Sequence, residues 1–205
     1  MKALRIAVTV LMIGGVAGLA AAEDLNPAPW RTDPAGQDAT TLQAWEFGTS
    51  DPNAVPDVVH NAFGAPTLSV LGGQWLPEYE GRTGVWEIGA ADGLSVFIPN
   101  NPIPNEFKHI WLQLTFFQPT GFDPMIITDP LYGSIETAAS TDLGAGWWHR
   151  TYSIQIFPNP ESETIALFSP GCSLGVDELV IDTICTPEPA GLLLLTLAGV
   201  FVRRR

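Results

Sequence analysis

The sequence predicts an all-β protein, a single antiparallel β-sandwich flanked by an N-terminal signal helix and a short C-terminal hydrophobic helix. Three observations predict it. Between the ends, no stretch repeats apolar residues at the three-and-four spacing of a helix. Eighteen prolines and 20 glycines cut the chain into short apolar runs. Several of those runs alternate apolar and polar residues, as strands with one buried face do.

Residues 23–41 read as a Pro-rich, extended lead-in, and 42–185 as the sandwich. The first strand fits Leu42 to Phe47, followed by a long loop over 49–66. Strands then fit Thr67 to Leu71, Gly84 to Ile88 and Leu94 to Ile98, before a turn-rich connector from Asn100 to Asn105. Lys108 to Phe117 is the strongest strand. It sets Ile110, Leu112, Leu114 and Phe116 on one face and Trp111, Gln113, Thr115 and Phe117 on the other, the pattern of a central strand. Further strands fit Met125 to Thr128, Trp148 to Phe157, Thr164 to Phe168 and Val176 to Asp182. About eight to ten strands is the number for a jelly-roll-like sandwich.

The ends carry a different pattern. Lys2 and Arg5 precede an apolar run from Ile6 to Leu19, and Ala20 and Ala22 occupy the two positions that signal peptidase reads. Residues 1–22 are therefore expected to be a signal peptide, cleaved after Ala22. At the other end, Pro187-Glu188-Pro189 precedes an apolar run from Ala190 to Val202 and a final Arg203-Arg204-Arg205. As a helix that run spans roughly 20 Å, against a hydrocarbon core of about 30 Å. This suits transient membrane insertion, with the arginines on the cytoplasmic side.

Residues 186–205 resemble the PEP-CTERM sorting signal: a Pro-Glu-Pro motif, a hydrophobic helix and an Arg cluster at the end of the chain. The resemblance implies an exosortase that cuts near Pro187–Pro189. It also implies export to the envelope or exterior of a bacterium with an outer membrane, one that makes extracellular polysaccharide. The body of the chain is similar to a set of PEP-CTERM proteins typical of planctomycete-like bacteria. The matching parts include Trp45-Glu46-Phe47, the Asp51–Asp57 loop, Asn100 to Pro104, Pro158-Asn159-Pro160 with Glu163, and Val176 to Cys185. This bears on fold and location and implies no particular chemistry. The closing strand, Leu174 to Asp182, resembles the last strand of galactose-binding-like and carbohydrate-binding jelly rolls.

Five of the 9 basic residues lie in the two ends. Residues 23–188 keep 4 basic and all 22 acidic residues, a net charge of −18. Such a surface excludes nucleic acid and anionic membrane as partners and favours solubility or divalent cations. Cys172 and Cys185, both in the exported part, are expected to form one disulfide. It would close a loop of about 14 residues, worth about 3 kcal/mol. Two buried free thiols are the alternative.

Enzyme chemistry finds little support, and the chain reads as a non-enzyme. There is no Gly-x-Ser-x-Gly elbow, and His60, His109 and His149 are widely spaced. The carboxylate pairs Glu78/Glu80 and Glu161/Glu163 read as solvated surface more readily than as glycosidase pairs. Two binding sites are considered. Asp51, Asn53 and Asp57, joined by Asp177 of the closing strand, could ligate calcium; the competing reading is side-chain-to-backbone turn bonds beside proline. Of the 7 tryptophans, Trp45 and Trp86 read as core. Trp75, Tyr79, Trp111 and Trp147 are either an aromatic platform for sugar or plugs at the ends of the sandwich. The expected function is a surface protein of structural or adhesive role associated with exopolysaccharide. A carbohydrate-binding module is the alternative, and a polysaccharide hydrolase a more distant one.

Overall fold

The computed structural model describes residues 24–32, 39–102, 107–118, 122–169, 171 and 173–186. The expected signal peptide with Ala20 and Ala22, the expected sorting tail with Pro187, Glu188, Pro189 and Arg203–Arg205, and Cys172 lie outside the described residues. Among the described residues no helix is long and apolar enough to cross a membrane.

The described chain is all β, in two antiparallel sheets. After a short 3₁₀ turn at Pro29–Thr32 come β1 (Thr40–Trp45), β2 (Val58–His60), β3 (Thr67–Leu71), β4 (Gln74–Tyr79), β5 (Arg82–Ile88) and β6 (Gly93–Pro99). Then follow β7 (Phe107–Phe117), β8 (Met125–Asp129), β9 (Ser134–Gly144), β10 (Trp147–Ile156), β11 (Ser162–Phe168) and β12 (Leu174–Thr186). The larger sheet runs β2-β1-β12-β7-β10-β9, and the β4–β5 hairpin joins it through the start of β12. The smaller sheet runs β3-β6-β11-β8.

The expected central strand is central: β7 lies between β12 and β10. Its residues Ile110, Leu112, Leu114 and Phe116 are all fully buried. They share one hydrophobic cluster with Leu179 and Ile181 of β12 and with Leu68, Leu94, Val96, Ile98, Ile165 and Leu167 of the smaller sheet. Trp45 and Trp86 belong to this core, as expected. The inner faces of both sheets thus enclose one apolar interior, the dominant favourable term in folding.

Three strands are absent from the sequence reading, each for a local reason. β9 is exposed along most of its length and is built mostly from Ser, Thr, Ala and Glu, so it lacks apolar alternation. Among the described residues it is an edge strand, paired only to β10. β4 contains Pro77, which an edge strand tolerates, and follows the Gly72–Gly73 turn. β2 is three residues within the long early loop, held by β1. Gly84, inside β5, has φ of 75°, and a Cβ there would lie 2.7 Å from the Phe47 carbonyl oxygen, so only glycine fits this crossing.

The expected disulfide is corrected. Cys185 is a free, buried thiol near the end of β12. The spacing that reads as a loop is one extended strand. From Leu174 to Cys185 it rises about 36 Å at about 3.3 Å per residue, whereas a disulfide needs Cα atoms within about 7 Å.

Candidate functional site

The calcium candidates have partners within the chain. Asp51 Oδ1 accepts from the Asn53 amide at 2.9 Å, an Asx turn. Asp57 Oδ2 accepts from the Glu46 amide at 2.8 Å. Asn53 Oδ1 accepts from the Ser69 hydroxyl at 3.1 Å, and Asp177 pairs with Arg82 at 2.5 Å. Among the described residues no three His, Cys, Asp or Glu side chains converge as a metal site would require. The turn-bond reading describes Asp51, whereas Asp57 bonds across the loop to the backbone of Glu46.

The four aromatic candidates fall in different places. Trp75 stands opposite Trp86 in the hairpin register and packs against the core. Its indole N–H donates to the Phe47 carbonyl at 2.9 Å. Trp147 is buried; its indole donates to the Glu80 carbonyl at 2.9 Å, and Arg82 lies over its ring at 5.0 Å. Tyr79 meets Trp147 at 6.5 Å and Phe117 at 5.4 Å, both edge-on. This is end-plug geometry, with rings crossed instead of coplanar. Burial, then the neighbouring Glu87 and Glu80, push the Tyr79 hydroxyl pKa up.

Trp111 belongs to a separate assembly on the outer face of the larger sheet. There residues 24–32 are not a detached lead-in. They form a strap across β12, β7 and β10. The Asn26 carbonyl accepts from the Trp111 indole at 2.7 Å. The Asn26 amide donates to Gln113 Oε1 at 2.9 Å, and its side-chain NH₂ to the Thr151 hydroxyl at 3.1 Å. Gln113 Nε2 donates to Asp24 Oδ1 at 2.6 Å. Arg31 grips Asp182 with two bonds of 2.5 Å and also pairs with Asp24. Trp30 rests on His109 at 4.8 Å and edge-on to Trp111 at 6.1 Å. Beneath the strap, His149 is bonded to Thr115 and Gln113, and Thr115 to Glu178. His149 is thus a buried network member on a strand flanked on both sides. Burial lowers the His109 pKa and raises that of Asp182, the latter opposed by Arg31.

A groove of about 570 Å³ opens beside the strap, lined by Trp30, Arg31, Thr41, His60, Asn61 and Asp182 among others. Residues 33–38, between the strap and β1 in sequence, lie outside the described residues.

A second polar assembly closes one end of the core. In each of four segments the inward alternation runs one step past the apolar residues. Asn100 follows Ile98, Lys108 precedes Ile110, Glu163 precedes Ile165, and Cys185 follows Ile181 and Thr183. All four are essentially buried, with Lys108 at 0 % exposure and Glu163 at 1 %. Glu163 therefore corrects the reading of Glu161/Glu163 as a solvated pair. Lys108 Nζ donates to Asn100 Oδ1 at 2.5 Å and lies 3.4 Å from Glu163 Oε1. The Cys185 thiol donates to Asn100 Oδ1 at 3.0 Å. Among the described residues neither Glu163 oxygen makes a hydrogen bond. Burial pushes the Glu163 carboxyl up to about 7, against the pull of Lys108, and raises the Cys185 thiol. Sequence reading missed this cluster. The signal lay in the phase of the alternation and in Lys108 being the only lysine of the chain besides Lys2.

No protein-family model matches the chain, and no curated protein does.

Proposed function

We propose that the chain is an exported cell-surface or extracellular-matrix protein of structural or adhesive role, sorted through a PEP-CTERM tail and associated with exopolysaccharide. On this reading signal peptidase removes residues 1–22, and an exosortase acts near Pro187–Pro189 during transient membrane insertion. What remains is a jelly-roll-like sandwich of the galactose-binding type. The observation that carries the structural role is the internal use of its polar and aromatic groups. The indoles of Trp75, Trp111 and Trp147 donate to backbone carbonyls of the same chain, and Asp177 and Asp182 are paired with arginines. The groups that would recognise a ligand fasten the strap and close the ends of the fold.

Mass spectrometry of the mature protein from the cell that makes it tests this reading. The expected result is an N-terminus at Glu23, a processed or membrane-held C-terminus, and recovery from the envelope or medium. Recovery of the intact chain from cytosol would overturn it.

A carbohydrate-binding role is the second reading. It is favoured by half-exposed Trp30 and Trp111 beside the Arg31–Asp182 pair, where a ring face and a polar fork adjoin a groove. Retention on immobilised polysaccharides tests it, and uniform failure of the folded protein to bind removes it. A hydrolase reading loses its Glu161/Glu163 pair, since Glu163 faces the core.

A further inference from the structure

The geometry points to an intramolecular amide bond between Lys108 Nζ and Asn100 Cγ, formed by the folded chain itself with Glu163 as proton carrier. This inference rests on the buried cluster alone and stands apart from the proposed location and role.

Three features of the cluster match what amide exchange needs. The first is proximity. Lys108 is the second residue of β7 in the larger sheet, and Asn100 directly follows β6 in the smaller one, yet Nζ touches Oδ1 at 2.5 Å. The Asn100 amide donates to the Glu161 carbonyl at 3.0 Å, which fixes the segment. Holding a nucleophile against its target in this way replaces a bimolecular encounter by an oriented unimolecular one.

The second is polarisation of the side-chain amide. Oδ1 accepts from the Asn101 backbone N–H at 2.8 Å and from the Cys185 thiol at 3.0 Å. Burial keeps that thiol protonated and hence a donor. These donors face the oxygen on which negative charge develops when an amine adds to Cγ, and in a buried site they act strongly. The departing nitrogen, Nδ2, is oriented by the Asn159 side-chain oxygen at 2.9 Å and the Pro160 carbonyl at 2.7 Å.

The third is a proton carrier. A buried lysine is a nucleophile only once its ammonium loses a proton. Glu163 is the buried carboxylate within reach of Nζ, and its raised pKa lets it take and return protons near neutrality.

The step balances. The Lys108 ammonium passes one proton to Glu163. The free amine attacks Asn100 Cγ. A second Nζ proton travels through Glu163 to Nδ2, the Cγ–Nδ2 bond breaks, and ammonia leaves. One C–N bond forms and one breaks, nothing is oxidised or reduced, and the chain loses about 17 Da. The product ties β7 of one sheet to the end of β6 in the other.

Tryptic mapping of the full-length chain, purified folded and then denatured and alkylated, tests it. A free Lys108 is a cleavage site, so the unlinked chain yields separate peptides 83–108 and 109–150. The linked chain resists cleavage at Lys108 and yields one fragment, 83–150, lighter by the mass of ammonia. Blocked cleavage distinguishes the bond from a succinimide at Asn100, which loses the same mass but leaves Lys108 open. Lys108→Met is expected at full mass. Glu163→Gln, which cannot shuttle protons, is expected to show normal cleavage at Lys108 and full mass. Wild-type protein cut at Lys108 with no mass loss overturns the inference. A wild-type cross-link that persists equally in Glu163→Gln overturns the role given to Glu163.

Discussion

The two faces of the larger sheet are buried to similar depth by different physics. On the inner face, Ile110, Leu112, Leu114, Leu179 and Ile181 are excluded from water by the apolar faces of the second sheet. On the outer face, Gln113, Thr115, His149, Thr151 and Asp182 are just as inaccessible, yet nearly all polar. They are covered in part by the strap and satisfied by one another. Apolar burial is non-directional and scales with area. A buried polar network is directional, and each member removed leaves another unsatisfied. One face therefore tolerates rearrangement, and the other specifies where residues 24–32 must lie.

The inner face should give the largest single effect. Leu112→Ala is expected to cost about 2–5 kcal/mol, read as a lower urea midpoint with little change in slope. The outer face should respond next. Arg31→Ala leaves the buried Asp182 carboxylate without its cation and is expected to cost about 1–3 kcal/mol. Amide exchange in residues 24–32 should rise far more than in β7, and adding Asp182→Asn should restore part of the stability. Equal exchange in both regions would mean that the strap does not depend on this pair.

The polar end of the inner face should show itself in pH. The Glu163 carboxyl is held at about 7 in the folded protein, up from 4.5. The folded state thus binds this proton more tightly than the unfolded one. The associated stability is present below pH about 4.5 and is lost as pH rises through about 7. Thermal melts of Glu163→Gln should lack that decline, and an unchanged profile would remove Glu163 as its source. Trp111→Phe keeps a ring on the outer face but removes the donor to the Asn26 carbonyl, with an expected loss of about 1 kcal/mol by urea titration. Smallest of all, millimolar calcium should leave the melting temperature unchanged, because Asp51, Asp57 and Asp177 already have partners. A clear upward shift would reinstate the loop as a cation site.

Strands with apolar alternation were legible. Thr67–Leu71 has the expected bounds, and β7 has the expected faces and central position. β9 was not, because an exposed edge strand needs no apolar residues and its pairing to β10 is a property of the partner. The buried cluster was half legible: alternation points Lys108, Glu163 and Cys185 inward, but nothing local says that they meet Asn100. The cysteine spacing misled because a stretch of that length is compatible with a loop or with a strand, and the two put its ends in very different places.

By itself the sequence determined the all-β class, the apolar face of the central strand and the place of Trp45 and Trp86 in the core. These follow from hydrophobic period and composition, which are local. Only the tertiary structure decided that the Arg31–Asp182 pair fastens the strap to the sheet, that the indoles are held by carbonyls of the chain, and that Lys108, Asn100 and Glu163 share one buried corner. Those outcomes depend on which strands become neighbours, and pairing is settled by the burial of whole faces, not by any segment alone.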